Sequence, residues 1–239
     1  MRVQVNGEWK VLPSSLSEIT LGQRIAFQAE HGDLLAEMAK SILEMEDDIE
    51  RELEWAQFNL ERMFRTVSFF LDTTVDALKE SEFVDEIIRL YIASMHQVFD
   101  MENEIETTPI LDFVWNNEEW EIASPELKHG SKITFGEFID SKQVIQDLVG
   151  LGKNRWECLL PLCAIYLRKK GEAYQESFMY EGSDRLKLME TLPLDIALQV
   201  GFFLSSSLNM FTQTSPFFNL PLSKTPEDTS RNTLKTLAG

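Results

Sequence analysis

The chain is poor in the residues that carry most protein chemistry. Among its 239 residues there are only 2 cysteines and 3 histidines. The cysteines, Cys158 and Cys163, share one apolar segment at a spacing that a helix would splay too far for a disulfide. They read as buried, reduced thiols, which suits a cytoplasmic setting. The histidines, His31, His96 and His129, lie far apart and share no ligand spacing with the cysteines, so a zinc site is not expected. Cations are scarce too: 22 Lys and Arg against 40 Asp and Glu, for a net charge of −18. Such a surface excludes a nucleic-acid backbone as a partner, because phosphate binding is driven by cationic side chains that release counterions. Anionic membrane surfaces are disfavoured on the same ground. No apolar run of signal-peptide type opens the sequence. The best candidate for a membrane span, Leu194 to Phe211, is broken by Asp195, Gln199 and Asn209.

What the chain does have is enough apolar matter for a core, 44% hydrophobic residues including 16 Phe and 5 Trp, and an internal echo. Ser17-Glu18-Ile19-Thr20-Leu21-Gly22-Gln23-Arg24-Ile25 returns far downstream as Ser131-Lys132-Ile133-Thr134-Phe135-Gly136-Glu137-Phe138-Ile139. Glu8-Trp9-Lys10-Val11 precedes the first copy as Glu119-Trp120-Glu121-Ile122 precedes the second, and Val67 to Leu71 is matched by Val200 to Leu204. Three matches in the same order argue for a duplicated domain. The echoed residues are caps and core formers, so what was copied is a shape.

Each copy begins with strand alternation. Val3 and Val5, a turn at Asn6-Gly7, then Trp9 and Val11 predict one hairpin; Ile110 to Val114, Asn116-Asn117, then Trp120 and Ile122 predict another. Both tryptophans are expected to cover the core of their own module. Thr20 with Gln23, and Thr134 with Glu137, have the spacing of a capping box that starts a helix. From Leu34 to Leu78 the pattern is helical, with Leu34, Leu35, Met38, Ile42 and Met45 continued loosely by Ile49, Leu53, Phe58 and Leu60. Its acidic residues between Glu44 and Glu61 read as a solvated face, and Met63 to Leu71 as buried. Residues 82 to 99 are the clearest amphipathic helix, with a stripe of Val84, Ile87, Ile88, Tyr91, Ile92, Met95, Val98 and Phe99 that has no counterpart in the second copy. Trp156 to Arg168 predicts an apolar helix ending at Lys169-Lys170-Gly171, and Pro193 starts the last helix.

The fold class is therefore α+β, mainly α: two related modules, each a β-hairpin followed by a small helical bundle. The boundaries fall at 1–80 for the first module, 81–108 for a bridging helix and linker, 109–213 for the second module, and 214–239 for a polar tail. Val149-Gly150-Leu151-Gly152-Lys153-Asn154 brushes a phosphate loop but has Asp147 where the first glycine belongs and Asn154 in place of the hydroxyl. No catalytic constellation emerges, and no metal or cofactor is expected.

The segment Ile133-Thr134-Phe135-Gly136-Glu137-Phe138-Ile139-Asp140, a later Tyr166-Leu167-Arg168-Lys169, and Leu192-Pro193-Leu194-Asp195-Ile196-Ala197-Leu198 leading to Phe202-Phe203 resemble bacteriophage tail-assembly chaperone-like and tail-associated proteins. The resemblance covers residues 113 to 211, and reaches the first half only through Trp9, Ile19 to Gly22 and Val67 to Leu71. It implies a non-enzymatic protein that binds other phage structural proteins, such as tape-measure or tail proteins, in the host cytoplasm during assembly or within the virion. Nucleic acid and membrane are not expected as partners, and an oligomer is compatible with it. The residues assigned to partner binding are Ile88, Ile92 and Met95 on the bridging helix, with Phe217 and Phe218; Met38, Met45 and Met63 extend the same adaptable apolar character. The rival expectation is an enzyme with a dispersed acidic, metal-assisted hydrolytic site.

Overall fold

The computed structural model describes residues 2–5, 8–80, 84–92, 112–123 and 134–201. Every described residue belongs to one compact unit, Met1–Phe203. That unit is mainly helical with antiparallel strands, as composition and periodicity predict.

Strands β1 (Arg2–Val5) and β2 (Glu8–Val11) pair as the first hairpin. A single 3₁₀ turn follows, and then helix α1 (Leu21–Leu43), started by the expected capping box. Thr20 Oγ1 accepts from the Gln23 N–H at 3.1 Å while Gln23 Oε1 accepts from the Thr20 N–H at 2.9 Å, which satisfies two donors that a helix start would otherwise leave open. The expected helical stretch from Leu34 to Leu78 is broken after Leu43. Asp47 accepts from the backbone of Ile49 and Glu50 and so restarts the chain as α2 (Asp48–Phe70). The two helices fold back on each other: Phe27 and His31 of α1 meet Phe69, with ring centroids at 5.5 and 6.4 Å. Helix α3 (Val75–Lys79), capped by Thr74, and α4 (Val84–Leu90) complete the described part of the first half.

The second hairpin, β3 (Asp112–Trp115) and β4 (Glu118–Ile122), turns at Asn116-Asn117, both at positive φ (51° and 61°), as its sequence requires. Thr134 and Glu137 form the second capping box and open α5 (Phe135–Gly150). Asn154 and Glu157 form a third, which the sequence reading missed, and open α6 (Arg155–Tyr166). Here one expectation fails. The apolar helix does not run on to Arg168; it stops at Tyr166, and Leu167–Lys169 becomes β5, paired antiparallel with β4. The exposed edge of β4 offers backbone partners there. The crossing aligns Ile122 with Leu167 and brings Arg168 to a buried carboxylate. After a 3₁₀ turn at Glu176–Met179 come α7 (Asp184–Glu190) and a final helical stretch entered from Pro193.

The halves are stitched together at their helix starts. The Leu21 N–H donates to the Leu192 carbonyl and the Leu194 N–H to that of Ile19, each at 2.9 Å, around a bridge between Thr20 and Pro193. Ile19, Leu21, Leu192 and Leu194 are fully buried at this seam. Arg24 reaches across from α1 to stack on Trp156 of α6, 4.3 Å from the ring centre.

The two echoed glycines do different work. A Cβ on Gly22 would stand 2.8 Å from the Glu190 carbonyl oxygen, whereas a Cβ on Gly136 would meet only Thr134 Oγ1 at 3.7 Å. Gly22 is what lets α1 approach the end of α7. Gly22→Ala should therefore cost about 1 to 3 kcal/mol, while Gly136→Ala should stay within about 1 kcal/mol of the parent or stabilise it. Urea melts of the two variants check this; equal shifts would show that the close approach is not a constraint.

Candidate partner-binding site

Helix α2 is apolar on two opposite faces. Its inner face is marked by Phe58, 8% exposed, and by Phe69 against Phe27. Arg65 reaches His31 across the same seam at 3.5 Å. At 3.6 residues per turn, nine residues is two and a half turns, so Ile49 points directly away from Phe58. From Ile49 the outward stripe runs through Leu53, Ala56, Leu60, Met63 and Val67 at alternating steps of four and three, the spacing of a helix-packing seam. Its lower half is covered: Met63 is 2% and Val67 1% exposed, and Leu71 beyond them is fully buried. Its upper half is bare, with Ile49 73%, Leu53 62% and Leu60 47% exposed.

The charges along α2 separate into two zones. At the base, Glu61 is gripped by Arg65 at 2.6 Å and Lys79 at 2.9 Å. Burial works to raise its pKa, but the hydrogen bonds from Lys79 and Arg65 outweigh this and hold it below the usual carboxylate range. His31 beside it is held below its usual value mainly by burial. Toward the tip, Asp47 caps the helix and Asp48 takes Arg51, but among the described residues Glu46, Glu50, Glu52 and Glu54 have no cationic partner. Glu50 and Glu52 flank the bare stripe on either side.

The residues assigned from sequence fare unevenly. On α4, extended by a wider turn through residues 91 and 92, Ile87 (5% exposed) and Tyr91 (3%) are core. Ile88 is half-buried and Ile92 is 57% exposed, so the stripe divides between holding the helix down and facing outward. Met95, Phe217 and Phe218 lie outside the described residues. Met38 and Met45 are half-buried, while Met63 is core and not surface. Trp9 departs from expectation most: it is 69% exposed, with Val11 at 60% on the same strand face, while Trp120 is 1% exposed. The first hairpin has two strands, whereas β5 joins the second and Arg185 stacks on Trp120. By sequence, Ile49, Leu53 and Leu60 loosely continue the helical spacing that starts at Leu34. The break at residues 44–47 rephases the chain, and they face outward.

A second cluster of polar side chains, all of it buried or half-buried, lies where α5, β5 and α7 meet. Glu137, with no exposure, is ion-paired to Arg168. Tyr174 donates to Asp140 and Tyr166 to Ser141, each at 2.8 Å, and Arg185 bridges the Leu167 carbonyl (2.6 Å) and Glu172 (2.9 Å). Burial, then the hydrogen bond to Asp140, pushes the Tyr174 phenol up. Burial also raises both cysteine thiols, fully so for Cys163, and both are free. The carboxylates in this cluster are already matched to a cation or a hydroxyl, an arrangement that fixes β5 and α7 in place. Among the described residues no group of three or more His, Cys, Asp or Glu side chains is placed to hold a metal ion. Nor is any helix among them long and apolar enough to cross a membrane.

Compared with known proteins, the chain matches no family model, no curated protein and no solved structure.

Proposed function

We propose that this protein works by binding other proteins and not by catalysis, as a bacteriophage tail-assembly chaperone-like factor or a virion-associated tail protein. Its partners on this reading are phage structural proteins, tape-measure or tail proteins among them, met in the host cytoplasm during assembly or within the particle. The observation that carries the binding part is the bare half of the α2 stripe, where Ile49, Leu53 and Leu60 continue a seam that the fold itself covers lower down. A contiguous apolar strip on an otherwise strongly acidic surface costs solubility unless something uses it. Ile92 adds a further exposed apolar group on α4. The phage assignment is supported by the Ile133 to Asp140, Tyr166 to Lys169 and Leu192 to Leu198 sequence segments. Descent from two related modules is supported by the repeated order of hairpin, capping threonine and helix at Thr20 and Thr134.

Co-expression with the tail proteins of the same phage tests the reading, together with mass spectrometry of purified particles. The parent chain should co-purify with one of those proteins, and the paired change Ile49→Lys with Leu53→Lys should abolish this while leaving the melting temperature within a few degrees. Absence of association with every tail protein, or thermal stabilisation by divalent ions or nucleotides, would turn the reading toward an enzyme.

A further inference from the structure

We infer that the bare half of α2 is the seat of one amphipathic helix with basic flanks, docked side by side along Ile49, Leu53, Ala56 and Leu60. The inference rests on the protein-binding function proposed above and adds the chemistry of the partner. Three features select this occupant. The stripe is spaced in steps of four and three over about three turns, which a helix matches with its own seam and an extended strand does not. The same stripe continues without a change of phase into Met63 and Val67, which are already packed, so the uncovered part is an extension of an existing helix-packing surface. The charge on its borders has one sign. Glu50 and Glu52 occupy the positions that flank a coiled-coil seam, with Glu46 and Glu54 close by and no cation opposite any of them among the described residues. The nearby Arg51 is held by Asp48, and Lys40 faces Glu44.

Those same charges disfavour a second copy of this chain. Pairing two such tips would bring two unpartnered acidic sets together on molecules that each carry a net charge of −18. A helix with Lys or Arg beside its apolar seam instead gains at both borders, and the attraction should speed encounter and weaken with salt.

The test uses the full-length chain and two labelled three-heptad peptides, one of Leu with Lys and the other of Leu with Glu, followed by fluorescence anisotropy. The Leu/Lys peptide should bind at least about tenfold more tightly than the Leu/Glu peptide, and raising salt should weaken it. Ile49→Lys with Leu53→Lys should lower its affinity at least about tenfold, whereas Val114→Lys, on an exposed strand residue remote in sequence, should leave it unchanged. Glu50→Gln with Glu52→Gln should remove most of the salt dependence. Equal binding of both peptides would overturn the basic flanks of the occupant, and equal loss with Val114→Lys would overturn the seat on α2 and leave mere charge attraction. A dimer of the protein that the Ile49→Lys change disperses would overturn it in favour of a second copy. If the peptides fail while association with a tail protein still depends on Ile49 and Leu53, the partner chemistry is wrong and the binding function stands. If both fail, both fall.

Discussion

Trp120→Ala should be among the most damaging single substitutions in the described part of the chain, costing about 3 to 5 kcal/mol. The indole is 1% exposed and donates from Nε1 to the Trp115 carbonyl at 3.1 Å. Its ring lies 5.0 Å from that of Trp115, and the Arg185 guanidinium sits 4.8 Å from its centre on the way to the Leu167 carbonyl. Truncation thus opens a cavity under the three-stranded sheet and withdraws the aromatic face on which a buried cation rests. Because α1, α6 and α7 pack together in one unit, the loss should appear as a single shifted transition for the whole unit. Trp9→Ala supplies the contrast. Its side chain is 69% exposed, and its loss should fall within about 0.5 kcal/mol. Chemical denaturation of both variants decides the matter; similar losses would mean that the hairpins carry equal packing after all.

Glu137→Gln should cost about 3 kcal/mol although it leaves the helix cap intact. In α1 the corresponding cap partner is already a glutamine, Gln23, so the amide can fill the capping role. What it cannot supply is the charge that meets Arg168 inside the protein, where Glu137 has no exposure. Burial already works against the Arg168 guanidinium and lowers its pKa, with Glu121 and Glu172 offsetting part of that cost. Removing the nearest carboxylate leaves the penalty less compensated. Adding Arg168→Met to Glu137→Gln should then recover at least half of the loss, because a buried ion pair is costly to break but cheap to replace as a whole. A small effect of Glu137→Gln, or no recovery in the double variant, would show that the pair contributes little.

Both threonine capping boxes, the Asn116-Asn117 turn, the two hairpins and the buried cysteines were legible in the sequence, because each depends on groups a few residues apart or on the apolarity of one short segment. The candidate site was legible only as spacing. Ile49, Leu53 and Leu60 stood out as apolar positions at helical intervals, but Phe58 shares the same stretch on the opposite face. A helix with two apolar faces looks, along the chain, like one loosely patterned stripe. The acidic residues around it read as a plain solvated face for the same reason. On the bridging helix, Ile87 and Ile92 belong to one sequence stripe and only the packed fold sends the first inward and leaves the second outside.

Sequence alone thus determined where α1 and α5 begin and where the two hairpins lie, since caps and tight turns are settled by contacts within a turn of chain. It also determined the net charge of −18. Tertiary structure alone decided that Leu167–Lys169 leaves the helical pattern for a strand, because the free edge of β4 lies far away in sequence. It decided that Gly22 must be glycine and Gly136 need not be, since only Gly22 meets the backbone of Glu190. It decided, too, that Trp120 is buried while Trp9 is exposed, and which half of the α2 stripe stays open. Each of these turns on a neighbour brought in from a distance, and a one-dimensional pattern carries no record of what will be folded against it.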